Sequence, residues 1–168
     1  MSMNTLAPQR GTGRSSGEAN DADSGQYLSL RLGSEEYAID ILRVQEIRSY
    51  EVPTAMVNSP SYVKGVINLR GVIVPIVDLR LKLNLADVKY NDFTVVIILN
   101  IRGKVVGVVV DGVSDVVALQ NDTIKPAPQF EAALDGRFIV GLATLGDRML
   151  IVMNLDALMS NAELGIVS

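Results

Sequence analysis

Neither cysteine nor histidine occurs anywhere in this sequence. Without cysteine there are no disulfides, no thiolate nucleophiles and no cysteine metal sites. Without histidine the commonest neutral-pH base and the commonest zinc ligand are missing. Ser-His-Asp and Cys-His mechanisms are therefore excluded, and any chemistry would rest on carboxylates, lysine, tyrosine or hydroxyls. Tryptophan is absent too, with only three phenylalanines and five tyrosines among 168 residues. The core has to be aliphatic, and valine and isoleucine favour pleated, packed surfaces. Long apolar runs are also lacking. Val95 to Leu99 and Val105 to Val110 fall far short of the roughly 20 residues that span a bilayer. The amino terminus carries no apolar stretch of signal-peptide length, so a cytoplasmic protein with no membrane insertion is expected. The formal net charge of −4 argues against sequence-independent binding to nucleic acid, which draws on lysine and arginine meeting phosphate.

Hydrophobic residues make up 48% of the chain, enough for one domain with a sizeable core. Residues Met1 to Gly25 are rich in Ser, Gly, Asn, Thr and Asp and read as a disordered tail. Gly11, Gly13 and Gly17 lack both the spacing and the preceding strand of a dinucleotide loop. From Gln26 the texture changes. Tyr27 to Leu32 reads as a strand, Gly33-Ser34 as a turn and Tyr37 to Ile39 as the returning strand. Ile41, Val44 and Ile47 recur every third residue, which predicts a short helix over Asp40 to Ile47, capped by Asp40. Ser61 to Val66 reads as one helical turn. Val66 to Leu69 and Val72 to Val77 read as strands about Arg70-Gly71, with Pro75 marking an edge or a bulge. Leu79 to Leu85 is a connector. Thr94 to Ile101 and Lys104 to Val110 form the clearest hairpin, about Arg102-Gly103. Val113 to Leu119 is a further strand, Asp122 to Gln129 a loop, and Phe138 to Leu145 with Met149 to Asn154 a last hairpin. Leu155 to Met159 is a terminal helical turn. Many short strands with close turns point to an all-β barrel or sandwich. Thr94 to Ile101 is apolar on nearly every residue, so it needs cover on both faces. Two small barrels packed side by side would supply it.

Several motifs have plain structural readings. Asp111 and Asp115 could form a carboxylate pair for Mg²⁺ or acid–base work, but Asp111 also suits a turn and Asp115 a wet face. Asn121-Asp122-Thr123 matches a glycosylation triplet without a secretory signal. Gly103-Lys104 lacks the hydroxyl of a P-loop and reads as a hairpin tip. Val44, Glu46, Arg48 and Arg70 are better candidates. Val44 belongs to the apolar stripe with Ile41 and Ile47. Glu46 and Arg48 alternate about Ile47, as on a strand with one wet face. Arg70 sits beside Gly71 in a break between two β-rich segments, where a partner can reach it, and arginine is favoured in interfaces.

The stretch from Tyr37 to Ile47 and the stretch from Pro60 through Lys64 to Arg80 closely resemble the CheW family, the coupling proteins of bacterial chemotaxis. The latter contains Val66-Ile67-Asn68-Leu69-Arg70-Gly71 and Val77-Asp78-Leu79-Arg80. The likeness continues through Tyr90-Asn91-Asp92, Val108 to Val116, Pro126-Ala127-Pro128 and Leu145 to Leu150. One departure is Ala38, where the family often has glycine. The resemblance implies two packed SH3-like five-stranded β-barrels with short helices, spanning residues 26–162, with a flexible end at 163–168. It implies a non-catalytic scaffold, with no cofactor and no metal, recruited to membrane-associated receptor clusters. Its partners would be the cytoplasmic tips of chemoreceptors and the regulatory domain of the histidine kinase CheA. By motif position Val44, Glu46, Arg70 and Val95 would line the receptor groove between the barrels; the kinase-contact residues are not indicated. The competing reading is a small-barrel nucleic-acid binder, which would present aromatics and a basic stripe.

Overall fold

Alternating apolar residues build the first hairpin. In β1 (Ser24–Leu32), Leu28, Leu30 and Leu32 are all buried, and Gly33 turns the chain into β2 (Glu35–Asp40) with a φ of +64°. The computed structural model describes residues 24–85, 88–126 and 138–159. Most of the expected tail and the expected flexible end lie outside them, although Ser24 and Gly25 already belong to β1.

The Asp40 carboxylate accepts from the backbone N–H of Leu42 at 2.9 Å. What it caps is one 3-10 turn, Ile41–Arg43, not a helix reaching Ile47. The chain then extends as β3 (Val44–Ser49). The register against the neighbouring strand shifts between Val44 and Glu46. A tight turn followed by a bulge reproduces the three-residue spacing of a helix and keeps Val44 and Ile47 on one side.

Arg70 and Gly71, with φ of +52° and +89°, turn β4 (Val63–Leu69) into β5 (Val72–Asp78), and Asn68 Oδ1 accepts from Gly71 N at 2.8 Å. Val63 already opens the strand, so no helical turn covers Ser61 to Val66. Pro75 is not on an edge strand: β5 lies between two others, and the register shift of the β4–β5 pair is at Val63 and Gly65. Its missing N–H is tolerated because the parallel ladder on the far side of β5 begins only at Ile76. A short helix, α1 (Leu79–Lys82), leads towards the hairpin of β6 (Val95–Ile101) and β7 (Lys104–Val110). Then follow β8 (Gly112–Gln120), a 3-10 turn at Asn121–Thr123 and the two-residue β9 (Ile124–Lys125) inside the expected loop. The hairpin of β10 (Ile139–Leu145) and β11 (Arg148–Met153) and the helix α2 (Leu155–Leu158) complete the described chain.

The strands form a six-stranded sheet in the order β8-β1-β2-β11-β10-β9 and a five-stranded sheet in the order β3-β6-β7-β5-β4. Each sheet curls around its own cluster: Ala38, Val117, Leu119 and Val152 inside the first, Leu69, Val74, Ile98 and Val109 inside the second. The largest cluster lies between the sheets and takes Leu28, Leu30 and Leu32 from one and Ile97, Leu99, Val108 and Val110 from the other. In β6 the residues Val96 and Ile98 face the inner cluster while Ile97 and Leu99 face the shared one. That is the two-sided cover the apolar run demands. The all-β fold of two packed small sheets is thus as expected; β9 gives one of them a sixth strand.

Candidate functional site

In the five-stranded sheet β3 and β4 are the two edges. Residues 50–62 join them, with Thr54 exchanging backbone hydrogen bonds with Val66 at 2.9 and 2.8 Å. Gly65 makes this approach possible, since a Cβ there would lie 2.0 Å from the Thr54 carbonyl oxygen. Further along the seam no ladder joins β3 to β4. A cleft remains, lined by Arg48, Thr54, Val66, Ile67, Asn68 and Val96.

Arg70 closes one end of this seam. Its Nη2 donates to Glu46 Oε1, and Arg48 Nη1 stands 3.7 Å from Glu46 Oε2. One carboxylate therefore serves two guanidinium groups. Arg70 keeps 68% of its side chain exposed, so the guanidinium remains open to a partner.

Strand register fixes where the four expected residues point. Val44 opposes Leu99, and Val95 opposes Ser49. Both valines pack against the cluster between the sheets. Glu46 opposes Ile98, and Arg48 opposes Val96, so these two point to the other side, over the inner cluster. Val95 and Leu99 are four residues apart on β6, about 13 Å at 3.3 Å per residue, so Val44 and Val95 stand at opposite ends of the strand pair. The structure joins Glu46 to Arg70 and sets the two valines apart from them.

Two further residues belong with the valines. Ile47 opposes Ile97 on the side facing the six-stranded sheet, yet remains 42% exposed. Val116 opposes Leu28 on the side facing the five-stranded sheet and is 51% exposed. Both lie on edge strands, β3 and β8. Alternation within β3 was the available signal for Ile47; the bulge between Leu28 and Leu30 that turns Val116 to this side leaves none.

Asp111 and Asp115 do not form a shared carboxylate site. Asp111 accepts from Arg80 Nη1 at 2.7 Å and from the Gly33 N–H at 2.7 Å. Asp115 accepts from Arg148 Nη1 at 3.1 Å and Nη2 at 2.8 Å. Arg148 also reaches both Glu36 oxygens and Ser29 Oγ. The Arg148 hydrogen bonds hold the Glu36 and Asp115 carboxyls below their ordinary values. Among the described residues no group of three or more His, Cys, Asp or Glu could hold a metal ion. Arg43, Arg48, Arg70, Arg80, Arg102 and Arg148 each lie within ion-pair reach of a carboxylate. Their charges are met by carboxylates of this chain, and nothing in the site favours the nucleic-acid reading. No helix among the described residues is long and apolar enough to cross a membrane.

Comparison with known proteins identifies the family. The CheW-like domain family model matches residues 26–163. The chain is 50% identical over 149 residues to the chemotaxis protein CheW of Klebsiella aerogenes, covering 89% of this chain and 90% of the relative. It is 37% identical over 138 residues to a probable chemotaxis protein CheW of Rhizobium etli, covering 82% and 89%. Among solved structures, the scaffolding protein TtCheW of Thermoanaerobacter tengcongensis superposes with a TM-score of 0.72 at 30% identity, covering 78% of this chain and 84% of that one. The chain belongs to the CheW family of chemotaxis proteins.

Proposed function

We propose that this CheW-family chain is a non-catalytic coupling scaffold that holds the cytoplasmic tip of a chemoreceptor and the regulatory domain of the histidine kinase CheA together. The relatives carry chemotaxis in their names, and a solved relative is a scaffolding protein. The observation that carries the receptor half is the pairing of an open guanidinium with an apolar edge. Arg70 lies beside β3, and Ile47 on β3 is exposed on the side that faces the other sheet. A helix laid along an edge strand can touch both of its faces. Its apolar stripe would cover Ile47, Val44 and Val116, while Arg70 and Glu46 would set its register through polar contacts. Holding two partners at once lets a conformational bias in one alter the other, a coupling that is energetic and reciprocal. The protein would then work in the cytoplasm at receptor clusters.

The absence of native cysteine allows a clean test. Cysteines introduced as Ile47→Cys and, separately, Arg31→Cys are each offered to a receptor cytoplasmic fragment bearing one cysteine at its tip. Disulfide formation through position 47 and not through position 31 is expected. Equal cross-linking at both positions, or none at 47, overturns the assignment.

A further inference from the structure

The chain passes between the two sheets twice, from β2 to β3 through Ile41–Arg43 and from β7 to β8, where β7 ends at Val110 and β8 begins at Gly112. Asp111 is the one residue between them. Its N–H donates to the Arg31 carbonyl at 3.0 Å and its Oδ2 accepts from Gly33 N at 2.7 Å, so it is tied to the six-stranded sheet at the end of β1. Its other oxygen accepts from Arg80.

Arg80 belongs to the five-stranded side, in α1 directly after β5. It is 1% exposed and Asp78 is 0% exposed. The guanidinium grips Asp78 with two parallel bonds, Nε to Oδ1 and Nη2 to Oδ2, both 2.9 Å. Its Nη1 donates to Asp111 at 2.7 Å and to the Lys89 carbonyl at 2.6 Å. Tyr90 lies against it at 4.8 Å and donates to Asp78 Oδ2 at 2.5 Å. Planar and fork-shaped, arginine can hold two carboxylates at fixed angles where lysine offers only a point charge.

Asp78 alone already matches the single positive charge of Arg80. The additional reach to Asp111 runs from one sheet to the other at the second of the two places where the chain crosses between them. We infer that Arg80 is a positioning residue: its bond to Asp111 fixes the angle between the two sheets, and through it the separation of the edge strands β3 and β8. The inference concerns the geometry of the fold and stands apart from the identity of any partner. β8 runs nine residues from Asp111, so a small rotation there moves its far end most.

Spin labels attached to Gln45→Cys on β3 and Gln120→Cys at the far end of β8, both exposed positions, report that separation by double electron–electron resonance. In the otherwise unaltered chain one narrow distance is expected. Asp111→Asn keeps an acceptor for Gly33 but loses the charge, and Arg80→Lys keeps the charge but loses the fork. Each variant that retains a cooperative melting transition should give a broadened or two-peaked distribution. A distribution unchanged in a folded variant overturns the inference. So does loss of the folding transition in both variants, because the pair would then be needed for folding itself.

Discussion

Arg70, at the tip of the β4–β5 turn, donates from Nη2 to Oε1 of Glu46 on β3, joining the two edge strands of the five-stranded sheet by their side chains. The pair is largely in solvent on the arginine side, and exposed ion pairs contribute roughly 0–1 kcal/mol. Arg70→Glu should therefore lower the melting temperature by only a few degrees, about the effect of 1 kcal/mol in a domain of this size. Binding to a receptor fragment should weaken at least tenfold, about 1.4 kcal/mol. Calorimetric titration beside a melting curve separates the two. A collapsed transition would make Arg70 structural.

The Glu46–Arg70 contact itself is open to a double-mutant cycle with Glu46→Gln and Arg70→Gln, read by urea denaturation. A coupling of about 0.2–1 kcal/mol is expected in low salt and should fade in high salt. A larger coupling that ignores salt would mean that the pair is shielded.

Gly65 should tolerate no side chain. A Cβ would meet the Thr54 carbonyl oxygen at 2.0 Å, and the φ of +144° is unfavourable for any L residue. Gly65→Ala should cost more than about 2 kcal/mol, through strain and loss of the Thr54–Val66 bridge. Denaturant midpoints check this; an unchanged midpoint refutes the close approach.

Acid should weaken the six-stranded sheet through Arg148. Its hydrogen bonds lower the Glu36 and Asp115 pKa values in the folded state. A depressed folded value adds stability that is complete above the unfolded value and disappears as pH falls through the folded one. The ordinary values are 4.5 for Glu36 and 3.8 for Asp115, so the loss should set in as pH drops below these. Urea unfolding between neutral pH and this range should show a smaller pH-dependent loss in Arg148→Gln than in the parent chain. An identical loss in both would remove Arg148 as the cause.

How much was legible follows from the range of each interaction. Hairpins about Gly33, Arg70-Gly71, Arg102-Gly103 and Gly146 show in the sequence because turn chemistry is local, and all four glycines have positive φ. The two-sided burial of β6 shows because it demands an unbroken apolar run. The stretch after Asp40 misleads because a 3-10 turn and a bulge together imitate helical spacing. Arg80 with Asp111, 31 residues apart, and Asp111 with Gly33, 78 residues apart, carry no local pattern. The resemblance puts Glu46 and Arg70 in one groove; that they touch each other depends on how the five-stranded sheet brings its edges β3 and β4 together, which no spacing encodes.

A coupling scaffold must hold its two partners at the same time. Sedimentation velocity of this protein with a receptor cytoplasmic fragment and the kinase regulatory domain tests it directly. A ternary species is expected with the parent chain, and with Arg70→Glu a binary complex with the kinase domain alone. Binding of only one partner at a time by the parent chain, or an undiminished ternary species with Arg70→Glu, would contradict it.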